Sequence, residues 1–131
     1  MSMRDHEVGA VLATADMKKA REFYEDKLGL TPNDEPSDDA PEVPVTYVCG
    51  KGTSLSVYLS PEHAGKSTAT LAGWVVDDVE KVVDELTSKG VTFEQYDQEE
   101  LKTNEKGIVE GDGFKVAFMC DPDGNTHALN G

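Results

Sequence analysis

The chain has 131 residues, enough for one domain or two very small modules that share a core. Acidic residues outnumber basic ones 26 to 12, a formal net charge of -14, and such a field repels nucleic acid and anionic lipid. No apolar run approaches the ~20 residues of a membrane-spanning helix, and the polar residues 1–7 lack the apolar stretch of a secretory signal, so a cytoplasmic protein with no membrane partner is expected.

Residues 8–13 form a short apolar run of small side chains that reads as a buried strand ending at Thr14. Asp16 then offers a carboxylate to the free amides of a helix start. Met17, Ala20, Phe23, Tyr24 and Leu28 follow at helical spacing, and Lys18, Lys19, Arg21, Glu22 and Glu25 take the other face. Gly29 is a natural stop, so a helix of about twelve residues is predicted. Residues 30–32 begin an extended segment, and residues 33–44, rich in Asp, Pro and Ser, read as a loop. Residues 45–49 and 53–59 are strands joined by Gly50-Lys51-Gly52, a hairpin. Gly50-Lys51-Gly52-Thr53 resembles a fragment of a phosphate-binding loop, but it sits between strands rather than before a helix. Residues 61–68 are a polar connector.

The order then repeats. Residues 70–76 read as a strand, and Asp77 with Glu80 three positions later reads as a capping box. Val79, Val82, Val83 and Leu86 make the helical stripe and Gly90 ends it. Residues 91–96 are extended, 97–106 form a charged loop, and 107–110 a short strand. Strands at 114–120 and 126–129 flank the turn Asp121-Pro122-Asp123-Gly124-Asn125. Laid side by side, Asp16 falls on Asp78, Gly29 on Gly90, Cys49 on Cys120 and Gly52 on Gly124, with Tyr47 and Phe118 at equivalent positions. The two cysteines have neither CxxC spacing nor a histidine nearby in sequence, so they read as small buried hydrophobes, with a reactive thiol as the alternative.

The fold class expected from this repeat is α+β: two tandem βαβββ modules, at about 8–60 and 69–130, in one domain spanning 1–131. A module of this length cannot bury both its sheet face and its helix stripe alone. Two of them can form one curved mixed sheet with helices outside and a concave cleft inside, where a ligand would sit. The paired modules, Asp16 before a helix carrying Phe23-Tyr24 and Leu28-Gly29-Leu30, and the Asp-Pro-Asp-Gly-Asn turn at 121–125 together resemble the vicinal oxygen chelate superfamily. That family includes glyoxalase I, extradiol dioxygenases, fosfomycin-resistance enzymes and bleomycin-resistance proteins. The resemblance covers residues 8–129 and implies a homodimer.

Metal-dependent members of the family hold a divalent ion with His and Glu side chains on four strands, and the ion polarises vicinal oxygens of the substrate. Carried over residue by residue, the resemblance places those ligands at Gly9, Ser56, Leu71 and Ala128. None is a competent ligand for a first-row metal, which argues against glyoxalase and dioxygenase chemistry and for no metal and no cofactor. Strand alternation turns His127 away from Ala128, His6 precedes the first strand, and His63 lies in the connector.

The same parity puts Gly9, Val11, Ala13, Ser54, Ser56, Tyr58, Leu71, Gly73, Val75, Thr126 and Ala128 on the inward face. Gly9, Val11, Ser56, Tyr58, Leu71, Gly73 and Ala128 are the candidate ligand-binding residues, a small and mostly apolar lining with a few hydroxyls. Trp74 has the opposite parity and is expected to pack against the second helix. Tyr96 and residues 97–107 are a candidate lid, as are residues 33–44. The expected function is a metal-free, bleomycin-resistance-like homodimer binding a small organic molecule in its cleft. The alternative is a metal-dependent lyase, isomerase or dioxygenase of the same family with displaced ligands. The acidic balance leaves two readings open, a highly solvated surface or attraction of a cationic ligand.

Overall fold

A computed structural model of the chain describes residues 2–33, 43–99 and 101–131. The chain falls into two compact units, Met1–Lys66 and Ser67–Gly131. Both are α+β with mixed sheets. Most of the candidate loop at 33–44 lies outside the described residues, as does Glu100 in the loop at 97–107.

In the first unit, β1 (Gly9–Thr14) pairs in parallel with β3 (Ser54–Leu59), and β2 (Val45–Val48) pairs antiparallel with β3, giving the order β1-β3-β2. Helix α1 (Met17–Arg21) starts at Asp16, whose carboxylate accepts the Lys19 amide at 3.3 Å. Ala20, Phe23 and Tyr24 bury one stripe, and Leu12, Ala13, Thr14, Val45, Tyr47, Leu55 and Val57 are the buried residues of the strands. The predicted twelve-residue α-helix is not uniform. Residues Glu22–Lys27 widen into a π turn, in which the Leu28 amide reaches back five residues to the Phe23 carbonyl at 3.0 Å. The cause is a count: Gly29 follows Asp16 by thirteen residues, whereas Gly90 follows Asp78 by twelve. Both glycines hold a positive φ, so both helices must stop at the same structural point, and the first absorbs its extra residue by widening.

In the second unit, β4 (Thr70–Val75) pairs in parallel with β7 (Thr126–Asn130). Strands β5 (Ile108–Gly111) and β6 (Phe114–Cys120) extend the sheet antiparallel, in the order β4-β7-β6-β5. Helix α2 (Val79–Ser88) buries Val79, Val83 and Leu86 at positions i, i+4 and i+7. Its cap is Asp78, which accepts the Lys81 amide at 3.1 Å, and not the Asp77–Glu80 box read from the sequence. Asp78 is the position equivalent to Asp16, so the two modules start their helices alike.

The turn between β6 and β7 is built around Asp121, which is 6% exposed. Its Oδ1 accepts the amides of Asp123 at 3.0 Å and Asn125 at 2.9 Å, and its Oδ2 accepts the Asn125 side-chain amide at 2.8 Å. Proline and glycine shape the bend, and the buried carboxylate closes it. The loop at 97–107 has internal order: an isolated bridge joins Asp97 to Lys102, and the Thr103 amide donates to the Tyr96 carbonyl at 2.9 Å.

Candidate functional site

Gly9, Val11 and Ala13 of β1 stand opposite Ser54, Ser56 and Tyr58 of β3, and residues directly opposite share a face. Ser56 also stands opposite Thr46 of β2, with their hydroxyl oxygens 2.8 Å apart. Gly9, Val11, Ser56 and Tyr58 therefore share one face of the first unit. Val11 is 63% exposed there, and Ser54, Ser56 and Tyr58 are half-buried. A β-carbon on Gly9 would lie 2.8 Å from the Ser54 carbonyl oxygen, closer than real β-carbons approach. No side chain of any kind fits at Gly9 unless β3 moves.

In the second unit Gly73 stands opposite Ala128 and Val75 opposite Asn130. Leu71 has no opposite residue. The register shifts between Thr70 and Ala72, which makes Leu71 the extra residue of a bulge. The positional match of Leu71 to Gly9 is thus one of sequence spacing and not of pairing. Val75 is 92% exposed, while Ala128 is buried.

Four further residues lie on the Ala128 face that the sequence reading did not bring together. Phe118 stands opposite Ala128 and Cys120 opposite Thr126. The expected equivalences of Phe118 with Tyr47 and of Cys120 with Cys49 are each wrong by one position. In the first unit Tyr47 stands opposite Leu55, on the helix side, and Cys49 lies beyond β2. The error came from aligning cysteine on cysteine. Counting back from the Gly52 and Gly124 turns instead puts Phe118 on the Thr46 face. Glu94 and Tyr96 join that face because Phe93 bridges to Met119, and alternation sends Glu94 and Tyr96 to the opposite side. The Glu94 amide donates to the Phe118 carbonyl at 2.8 Å, and the Tyr96 ring meets the Phe118 ring edge-on with centroids 5.8 Å apart.

Burial is the main cause that raises the pKa of the Cys120 thiol; the hydrogen bond with the Thr126 hydroxyl at 3.6 Å opposes it, and the negative Glu94 adds to the rise. Burial likewise raises the Tyr96 phenol and the Cys49 thiol. Both thiols are therefore held protonated, the opposite of what a nucleophilic cysteine needs.

Trp74 and His127 lie on the other face of the second sheet. The Trp74 Nε1–H donates to His127 Nδ1 at 3.0 Å, and the rings stack with centroids 6.2 Å apart. Because an indole N–H can only donate, Nδ1 accepts and the ring is neutral with its proton on Nε2. His127 is fully buried, and burial pushes its pKa down to about 4 against the opposing pull of Asp121. A shallow depression of about 360 Å³ elsewhere in this unit is lined by Asp77, Asp78, Glu110, Phe114 and Lys115 among others, and contains none of the candidate residues.

The metal implied for enzymatic members of the resembled family does not fit these residues. Gly9, Leu71 and Ala128 carry no donor atom, and the Ser56 hydroxyl is neutral and engaged with Thr46. Among the described residues no three His, Cys, Asp or Glu side chains are grouped to hold an ion. His63 shares a hydrogen bond with the Ser60 hydroxyl at 2.9 Å, and His6 is exposed.

Comparison with known proteins agrees with this architecture. The model of the Glyoxalase/Bleomycin resistance protein/Dioxygenase superfamily matches residues 6–129. No curated protein sequence matches the chain. Among solved structures, a glyoxalase/bleomycin resistance protein from Catenulispora acidiphila DSM 44928 is 24% identical, covers 95% of this chain and 96% of its own, and superposes with a TM-score of 0.66. A superfamily member from Sphaerobacter thermophilus DSM 20745 is 23% identical over 95% of both chains, with a TM-score of 0.69. TnmS3, an antibiotic binding protein from Streptomyces sp. CB03234, is 22% identical over 95% of this chain and 93% of its own, with a TM-score of 0.66. At these identities the likeness carries the fold.

Proposed function

The chain belongs to the glyoxalase/bleomycin resistance protein/dioxygenase superfamily, and on that premise we propose that it is a metal-free homodimer that binds a small organic molecule. The observation that carries this reading is the donor set. Where metal-dependent relatives would need four ligands, this chain has Gly9, Ser56, Leu71 and Ala128, and at Gly9 the neighbouring strand leaves no room for a side chain. What remains on the two sheet faces is small, apolar and hydroxyl-bearing, suited to holding a molecule by shape and a few hydrogen bonds. Gly9, Val11, Ser56 and Tyr58 are the candidate residues of the first unit, and Leu71, Gly73 and Ala128 are those of the second. The antibiotic-binding role of TnmS3 is a precedent within the fold.

Homodimerisation is supported by apolar exposure. Val11 and Val48 of the first unit and Leu71 and Val75 of the second are exposed on strands. A second copy covering them would remove that surface from water. A cytoplasmic location goes with the two protonated, unpaired cysteines.

Two measurements test the proposal. Light scattering should give twice the mass of the chain, and a monomer at micromolar concentration would remove the dimer. Protein purified without a metal-binding tag and offered zinc, nickel, manganese and iron should retain far less than one ion per chain. About one ion per chain would return the metal-dependent lyase, isomerase or dioxygenase alternative.

A further inference from the structure

Three steps of the chain place aspartate or asparagine directly before glycine: Asp112–Gly113, Asp123–Gly124 and Asn130–Gly131. In sequence, each is open to the same spontaneous reaction. The glycine amide nitrogen attacks Cγ of the preceding side chain, since no β-carbon shields it. The fold treats the three steps differently.

The Gly124 amide donates to the Asp121 carbonyl at 3.0 Å, and the Asp123 amide donates to Asp121 Oδ1 at 3.0 Å. The Gly131 amide donates to the Lys115 carbonyl at 3.0 Å, and the Gly131 carbonyl accepts the Lys115 amide at 2.8 Å. Asn130 is itself a strand residue, standing opposite Val75 on one side and Val116 on the other. At both steps the nitrogen that must attack is held in a hydrogen bond that has to break first. Among the described residues the Gly113 amide has no such bond. Asp112 and Gly113 are exposed at the tip of the β5–β6 hairpin, and nothing lies within 4 Å of where a Gly113 β-carbon would be. The turn also matches its strands poorly. Two-residue loops that follow strand twist need a positive φ at their first residue. Among the described residues Lys51 is the one non-glycine with a positive φ, so Asp112 lacks it and Gly113 alone supplies it, at 78°.

We propose that Asp112 is a site of self-modification, where the main chain isomerises to isoaspartate while Asp123 and Asn130 are protected by the fold. The Gly113 nitrogen forms a bond to Asp112 Cγ, a carboxyl C–O bond breaks, and the oxygen leaves as water with the carboxyl and amide protons. A five-membered succinimide remains, and water then opens it. Breaking the bond from nitrogen to Cγ restores aspartate. Breaking the bond from nitrogen to the Asp112 main-chain carbonyl carbon gives isoaspartate, with the main chain running through Cγ. No mass is gained or lost, and water is the sole co-reactant. The product lengthens the hairpin tip by one methylene, beside the depression that Gly113, Phe114 and Lys115 line.

The test holds the full folded chain at body temperature and mildly acidic pH for several weeks, with a parallel sample in guanidinium chloride. Peptides from each are then read by electron-transfer fragmentation, which separates isoaspartate from aspartate. In the folded chain, product at residue 112 should exceed that at residues 123 and 130 by at least roughly tenfold. In denaturant all three steps should react, with Asn130 first, because its amide leaves as ammonia whereas an ionised carboxylate must first be protonated. The order of 112 and 130 should therefore reverse on unfolding. Asp112→Glu would need a six-membered ring, so it should abolish the signal at 112 and leave the other two unchanged. Absence of isoaspartate at 112 in the folded chain, equal product at 123 or 130, or the same order with and without denaturant overturns the proposal.

Discussion

The two units fill the same core positions with different chemistry. Leu12 and Leu55 of the first unit stand at the register positions that Trp74 and His127 hold in the second, since Ala10 pairs with Leu55 as Ala72 pairs with His127. An aliphatic pair in one is a hydrogen-bonded aromatic pair in the other. The turn that precedes the last strand differs in the same way. Cys49 and Asp121 are equivalent, but only Asp121 organises its turn through a buried carboxylate. The first unit is held by apolar packing and the second by packing plus a few polar contacts that must all be satisfied. The repeated fold tolerates both, but they should fail differently.

The largest expected effect comes from the turn. Asp121→Ala leaves two amides and the Asn125 side chain without their acceptor in a buried place, and should cost about 3–4 kcal/mol in urea unfolding. Cys49→Ala at the equivalent position should cost under about 1 kcal/mol. Similar costs for the two would mean that the turns are not different in kind.

His127 carries the second prediction. Its pKa is about 4 in the folded chain and near 6.5 when exposed. Between those values the unfolded chain binds the additional proton, so stability falls as pH falls through that window. The loss should reach about 3 kcal/mol by the lower end. His127→Gln keeps an acceptor for Trp74 and removes the titration. The variant should therefore lack this component of the acid loss, and equal acid sensitivity of the two proteins would show that His127 does not titrate as its burial requires.

Much of this fold was legible in the sequence. Helix stripes, caps at aspartate, stops at glycine and the hairpin turns are local signals, and the chain carries them twice, once in each module. The α2 cap was misplaced by one because Glu80 completes a capping box with Asp77 and not with Asp78, and only the repeat with Asp16 points to Asp78. The π turn was also present as a count, thirteen residues against twelve between cap and glycine. Pairing across strands was harder to see. Aligning the two cysteines displaced Phe118 by one residue, and in a strand one residue is the opposite face. Glu94 and Tyr96 could be placed only through the Phe93–Met119 bridge, a contact between distant parts of the chain.

The third prediction concerns the faces. Gly9→Ala should cost about 2 kcal/mol, because the new methyl meets the Ser54 backbone and β3 must shift. Gly73→Ala should be neutral to within about 0.5 kcal/mol or slightly stabilising, since its β-carbon would sit 3.6 Å from the Asn130 side chain, an ordinary contact, and a strand glycine is entropically costly. Paired thermal melts of the two variants decide it. A harmless Gly9→Ala would reopen the position to a metal-ligating side chain.

A smaller loss than at Gly9 is expected at Tyr47, where the first unit makes its own polar exception. Its ring is fully buried against Tyr24, and its hydroxyl donates to Glu25 at 2.9 Å. Glu25 lies in the π turn, and Arg21 grips it with two contacts at 2.7 and 3.2 Å. The equivalent residue in the second unit is Met119, which has no such hydroxyl, and α2 has no π turn. Tyr47→Phe removes one hydrogen bond but leaves Glu25 with Arg21, so the cost should be about 1 kcal/mol. A much larger loss would mean that the phenol, and not the residue count, holds the π turn open. Amide exchange at Leu28, whose bond to Phe23 defines the turn, separates the two: it should be unchanged if the extra residue alone sets the widening.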